Sequence, residues 1–241
     1  PCRKDGRKGD GGRLMSDANV LNEAALVPWL EDNVPGFSGF KSLSKFGDGQ
    51  SNPSYKIEAV SGNYVLRAKP PGELLKSAHA VDREFKVIKA LGQTDVPVPK
   101  AYALCEDESI IGTIFYVMEF VDGDVEWDPK LPHFTKEQRF AAFNSMNSAL
   151  AKLHQTDYKA IGLEDFGKPT DYLARQINRW TKQYKASETE TIEEMNRLME
   201  WLPENIPPGD ETSVVHGDFR LDNAIIDRQS KEVIAMLDWE L

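Results

Sequence analysis

Residues 214–223, V-V-H-G-D-F-R-L-D-N, and residues 235–241, A-M-L-D-W-E-L, constrain the fold of this chain more than any other stretch. Residues 223–227 and 233–237 read as two short apolar strands with acidic groups at their ends. Paired as a hairpin, they present Asp218, Asn223 and Asp238 to one place. Taken singly, Asp and Asn are turn formers, and an isolated Asp-x-x-x-x-Asn is more often a solvated loop than a site.

The set says more than its members. The spacing Asp218-x-x-x-x-Asn223 is that of a kinase catalytic loop, in which the Asp accepts the substrate hydroxyl proton and the Asn oxygen holds Mg²⁺. Asp238 stands where the second metal-binding carboxylate belongs, and His216, Asp218, Asn223 and Asp238 occur in kinase order.

At 241 residues the chain suits two compact lobes or one large domain, and 40% hydrophobic residues suffice for a real core. No apolar run reaches the length of a membrane-spanning helix. Cys2 and Cys105 make neither a disulfide framework nor a zinc cluster, which fits a reducing, cytoplasmic compartment. A net charge of −10 argues against a nucleic-acid partner, since phosphate backbones are held by excess Lys and Arg. An acidic protein handling nucleotide phosphates needs a divalent metal as bridge. Residues 1–15 form a basic, Gly-rich head expected to be disordered.

Residues 17–33 read as an amphipathic helix with Ser16 or Asp17 as N-cap. Residues 40–46, 54–60 and 64–69 alternate as strands of an antiparallel meander. The first connection holds Gly47 and Gly49, which permit close backbone approach, and Gln50, Ser51 and Asn52, which supply donors for phosphate oxygens; an ordinary hairpin loop would read the same way. In the third strand, Arg67 and Lys69 share a face. Helix 78–91 carries Glu84 on its apolar stripe, where a carboxylate is costly unless paired. Arg67 is the first candidate partner and Lys69 the second.

Strands at 100–106 and 114–121 complete a five-stranded sheet. The backbone at Glu119–Val121 is where an adenine edge would bond, and Asp122-Gly123-Asp124 reads as a hinge. Helix 135–157 opens with a Thr135/Gln138 capping box, shows Phe140, Phe143, Met146, Leu150 and Leu153 as its stripe, and ends at His154, read as a hydrogen-bonded core histidine. Helices at 171–185 and 191–202 follow, the second stopped by Pro203, with Arg175, Arg179, Lys182 and Lys185 as a solvated face.

HGDFRLDN with LDWEL resembles the aminoglycoside phosphotransferase and choline kinase superfamily. YVLRAKPPGELLKSAHAVDREFKVIKAL and VPVPKAYALCEDESIIGTIFYVMEFVDG are more closely similar to the kinase-like domain associated with acyl-CoA dehydrogenases. The resemblance implies an α+β, bilobal kinase-like fold, with a nucleotide-binding lobe at 16–121 and a catalytic lobe at 122–241. It implies Mg²⁺ and ATP, with GTP not excluded, and phosphorylation of a hydroxyl, for close relatives that of a hydroxyacyl-CoA; an acyl-CoA dehydrogenase is the implied protein partner. By the same resemblance Asp218 is the base, Asn223 and Asp238 hold metal, and Arg67 with Glu84 positions the phosphates. Gly217 replaces the Arg of H-R-D protein kinases, which favours a small-molecule acceptor. Relatives continue with further helices beyond the point where this chain stops, so the catalytic lobe is expected to be incomplete. An antibiotic kinase of the aminoglycoside type, and a nucleotide-binding pseudokinase or interaction module, are the alternatives.

Overall fold

The computed structural model describes residues 21–47, 52–70, 80–209 and 211–239. Five antiparallel strands, β1 (Phe40–Lys45), β2 (Ser54–Ala59), β3 (Gly62–Ala68), β4 (Ala101–Cys105) and β5 (Phe115–Glu119), form one sheet in the order β1-β2-β3-β5-β4. The central strands are apolar on both sides because both faces are covered. Tyr64, Leu66, Phe115 and Val117 face helix α1 (Glu23–Asn33) through Leu26 and Leu30. Each of these fully buried leucines contributes about 1.5–3 kcal/mol of transfer free energy.

Val65, Tyr116 and Met118 face the other way, toward helix α2 (Val81–Leu91). Period-two alternation therefore puts Arg67 on the α2 face with Val65. Lys69 has the same parity but lies past the end of β3, half exposed.

The C-terminal half contains α3 (Lys136–Gln155), α4 (Tyr172–Ser187), α5 (Glu193–Glu204), a 3-10 turn at Leu221–Asn223 and the hairpin β6 (Ala224–Ile226)–β7 (Val233–Met236). One apolar core runs without a break from α2 through this hairpin to α3. Where the chain leaves β7, the Met236 amide donates to Pro97 O at 2.8 Å, so the hairpin also hangs from the segment that follows α2.

Four expectations are corrected. On α3, Phe140 and Phe143 are exposed, while Ala142, Ala149 and Leu153 are buried. The buried face is rotated from the one drawn through the phenylalanines, because small residues let α3 approach β7, where Ser145 Oγ accepts the Val233 amide at 2.9 Å. His154, next to Leu153 but off this face, is exposed at the helix end rather than a core histidine. Pro203 does not stop α5 but lies inside it, in the last turn. The described N-cap of α1 is Asn22, whose Oδ1 accepts the Ala25 amide at 3.4 Å; Ser16 and Asp17 lie outside the described residues. The Thr135/Gln138 capping box is present with both reciprocal bonds.

Candidate active site

Gly217 adopts φ +88°, a left-handed turn that favours glycine, and this swings the chain so that Asp218 follows half-buried. Asn223, buried at the end of the 3-10 turn, donates through Nδ2 to Asp218 O at 2.8 Å and to Asp218 Oδ2 at 3.1 Å. Its Oδ1, the acceptor end, has no protein partner among the described residues. Arg220 Nε lies 3.4 Å from Asp218 Oδ1, so both carboxylate oxygens are steered.

His216 ties this turn to β7. Its Nδ1 accepts the Asp218 amide at 3.4 Å, which leaves the Nε2 hydrogen to donate to Leu237 O at 2.8 Å, and Trp239 packs against the ring with centroids 4.4 Å apart. Burial pushes the imidazole below its usual pKa of 6.5, partly opposed by the Leu237 carbonyl and by Asp238 and Asp218. The unfolded chain, with an ordinary histidine, binds the proton that the folded chain refuses. Stability thus rises with pH across the window between the depressed value and about 6.5. Acidification from about pH 7 to 5 should lower Tm by an amount that His216→Gln reduces, measured by thermal unfolding at each pH. An unchanged slope in the variant would assign the effect to other groups.

Asp238 follows β7 in a left-handed conformation, φ +69°, which a non-glycine residue holds only when its surroundings demand it. Two contacts from the sheet side supply that demand. Arg67 NH2 binds Asp238 Oδ1, and Glu84 Oε1 accepts the Trp239 amide at 3.3 Å. Arg67 Nε and Glu84 Oε2 meet at 2.9 Å, with Glu84 wholly buried. Arg67 thus bridges the carboxylate of α2 and that of the residue after β7, a two-ended reach that suits a guanidinium fork and not an ammonium.

Tyr116 is cross-strand from Arg67 and fully buried. Burial, then Glu84, pushes its phenol well above the usual range, so it faces the ion pair as a neutral hydroxyl. Neither Tyr116 nor the Trp239 amide is evident from sequence: only the pairing of β3 with β5 sets Tyr116 opposite Arg67, and a backbone group leaves no signal.

The remaining predicted positions lie in the β1–β2 connection and at and beyond the end of β5. Asn52 is buried, and neither end of its side-chain amide finds a partner among the described residues. A buried amide left unsatisfied costs about 1–3 kcal/mol, which a polar ligand or water would recover. Gly47 is exposed, with open space where a Cβ would stand. Gly49, Gln50 and Ser51 lie outside the described residues. Glu119 uses its amide on Lys100 O at 2.9 Å and its carboxylate on the Lys100 amide at 3.1 Å. The backbone N–H and C=O of Val121 have no protein partner among the described residues.

The donor set fits Mg²⁺. Among the described residues no group of three or more His, Cys, Asp or Glu side chains could enclose a metal. Asn223 Oδ1 and the Asp238 carboxylate offer a pair of hard oxygen ligands, the arrangement of an ion that keeps waters and phosphate oxygens in its shell. No helix among the described residues is long and apolar enough to cross a membrane.

Comparison with known proteins agrees with this architecture. The Arabidopsis thaliana protein named "Probable acyl-CoA dehydrogenase IBR3" is 49% identical over 250 residues, covering 97% of this chain and 30% of the relative. The mouse protein named "Acyl-CoA dehydrogenase family member 10" is 50% identical over 230 residues, 95% of this chain and 22% of the relative. The chain therefore spans less than a third of these curated relatives. A crystal structure from Ralstonia eutropha, provisionally described as an aminoglycoside phosphotransferase, is 50% identical with a TM-score of 0.83, over 92% of this chain and 65% of that one. A streptomycin–ATP complex of APH(2")-IIa shares the fold at 16% identity and a TM-score of 0.59, over 92% of this chain and 71% of that one. The family model described as "Phosphotransferase enzyme family" matches residues 42–241, which include β2–β5, the Arg67–Glu84 pair and the whole Asp218–Asp238 hairpin, and the chain belongs to that family.

Proposed function

We propose that the chain moves the γ-phosphoryl group of a nucleoside triphosphate to a hydroxyl oxygen of a small molecule. The observation that carries this reading is a pair of contact groups joined at the end of β7: Arg67 from β3 binds Glu84 of α2 and Asp238, Asn223 holds the Asp218 carboxylate, and the Leu237 amide ties the residue before Asp238 to Asn223 O at 2.8 Å. Asp218 takes the hydroxyl proton as the acceptor oxygen bonds to phosphorus. The bond from phosphorus to the bridging oxygen breaks, and its electron pair leaves with the nucleoside diphosphate. Asn223 and Asp238 would hold Mg²⁺, which when bound neutralises charge on the phosphate oxygens. Arg67, kept in place by Glu84, aims its guanidinium at the phosphates. Gly47 and Asn52 are the described residues proposed to flank them, and the Glu119–Val121 backbone takes the base edge.

ATP is the proposed donor, with GTP the competitor to test beside it, and the lobes divide between Val121 and Asp122. A hydroxyacyl-CoA is the proposed acceptor, supported by relatives whose names place them with the acyl-CoA dehydrogenases. A dehydrogenase of that kind is the proposed partner, and the cytoplasm the proposed location, supported by a buried Cys105 thiol that forms no disulfide among the described residues.

The test offers MgATP and MgGTP with a hydroxyacyl-CoA, an aminoglycoside or no acceptor, and measures nucleoside diphosphate release with and without EDTA. Metal-dependent release with the thioester alone is expected. Release with the aminoglycoside alone would move the acceptor to the antibiotic class, and nucleotide binding without turnover on any hydroxyl would overturn the phosphotransfer itself.

A further inference from the structure

Asp122-Gly123-Asp124 has the composition of a free hinge, but it is built into the catalytic hairpin. The Asp124 amide donates to Ile226 O at 2.9 Å and the Ile226 amide to Asp124 O at 2.8 Å, an antiparallel β-bridge that pins the linker to β6. Gly123 lies so close to the hairpin that a Cβ would meet Ile225 Cγ2 and fall 2.7 Å from Ile226 O. The side chain that completes this contact is Arg228. Its Nε reaches Asp124 Oδ1 at 2.9 Å, its NH1 reaches Asp122 Oδ1 at 2.8 Å, and its NH2 donates to Gly123 O at 3.2 Å.

The turn that carries Arg228 is itself braced. Asp227 Oδ1 accepts the Gln229 amide at 2.9 Å and the Ser230 amide at 2.7 Å, and Asp227 O accepts the Lys231 amide at 3.1 Å. A guanidinium spread over three successive residues also cancels the repulsion between Asp122 and Asp124. Without it, two like charges two residues apart would push the linker off β6. The linker follows β5 by two residues, immediately after Val121, and β6 begins one residue after Asn223.

We propose that Arg228 is a positioning residue that locks the linker to the hairpin, so that the nucleotide-binding sheet and the Asn223–Asp238 site keep one relative placement. The lock goes beyond the phosphotransfer reading, and only its effect on nucleotide affinity rests on that reading. The pairs are exposed, so salt screens them, and the lock is sensitive to ionic strength.

Hydrogen exchange on the full chain tests the lock without any turnover. In Arg228→Ala the amides of Asp124 and Ile226 should exchange about tenfold faster, while that of Met236, held by Pro97, keeps its rate. The unsubstituted chain in about 1 M salt, where the Debye length is about 3 Å, should move toward the variant, and the variant should respond little. Arg228→Lys, which lacks the fork, should fall between them. MgADP affinity by calorimetry should weaken about 2- to 5-fold in Arg228→Ala, the range an exposed ion pair supplies. Asp122→Asn with Asp124→Asn dismantles the lock from the other side without leaving a repelling pair, and should speed the same two amides should the arginine variant fail to fold. Unchanged exchange at Asp124 and Ile226 in a folded variant overturns the lock. Faster exchange with unchanged MgADP affinity overturns the positioning role and leaves a structural one. A chain that binds no nucleotide at all would instead refute the phosphotransfer reading, with the exchange result still deciding the lock.

Discussion

Asp218→Asn is expected to lower kcat by about 10²–10⁴-fold while leaving nucleotide affinity within about twofold. The substitution keeps the shape of the side chain and an acceptor oxygen for Asn223 Nδ2, so the 3-10 turn and its contacts persist. What it removes is the group that can take a proton while the hydroxyl oxygen attacks phosphorus. A loss confined to kcat means an interaction made only in the transition state. Steady-state kinetics with the best acceptor, beside calorimetric titration of the nucleotide, checks both halves. Turnover within a few-fold of the unsubstituted chain would take the base role from Asp218, and a matching loss of nucleotide affinity would make it a binding residue instead.

The second large effect lies between the sheet and the hairpin. Arg67→Ala should destabilise the chain by about 3–5 kcal/mol, because it strands a wholly buried Glu84 without its cation. Glu84→Ala should cost less, since Arg67 keeps Asp238 as a counter-charge. The two losses should not add. Denaturant titration of the singles and the double should show a coupling of about 1–3 kcal/mol, and Lys69→Ala far less with Glu84. Coupling of Glu84 to Lys69 in place of Arg67 would move the strand register by two residues. Additive losses would mean that the pair contributes nothing specific. Arg67→Lys should also be impaired, because one ammonium cannot span Glu84 and Asp238 as the fork does.

Much of this network was legible in the chain because it depends on local periodicity. Alternation over β3 puts Arg67 on one face, and helical spacing puts Glu84 on the stripe of α2, so both point inward whatever the rest of the molecule does. Arg67 and Lys69, by contrast, have the same parity, and the choice between them waited on where β3 ends. The rotated face of α3 has a similar cause: Phe140 and Phe143 are the most apolar residues at the front of the helix, but close approach to β7 rewards Ala142, Ala149 and Ser145. Hydrophobicity reads the favourable transfer of a side chain to an apolar medium; it does not read how near two backbones must come.

The sequence by itself determined the order of elements, the antiparallel hairpin that gathers Asp218, Asn223 and Asp238, and the inward charge on α2, since strand alternation, helical period and turn chemistry act within a few residues. Only the tertiary structure decided that Arg67 holds two carboxylates 154 residues apart in the chain, that Trp239 lends its amide to Glu84, that Tyr116 lies against the pair, and that the apparent hinge is bridged to β6 and gripped by Arg228. Each of these is a contact between distant segments, often through a backbone group or a left-handed turn, and such contacts follow from how the sheet, α2 and the hairpin close on one core, which no local pattern records.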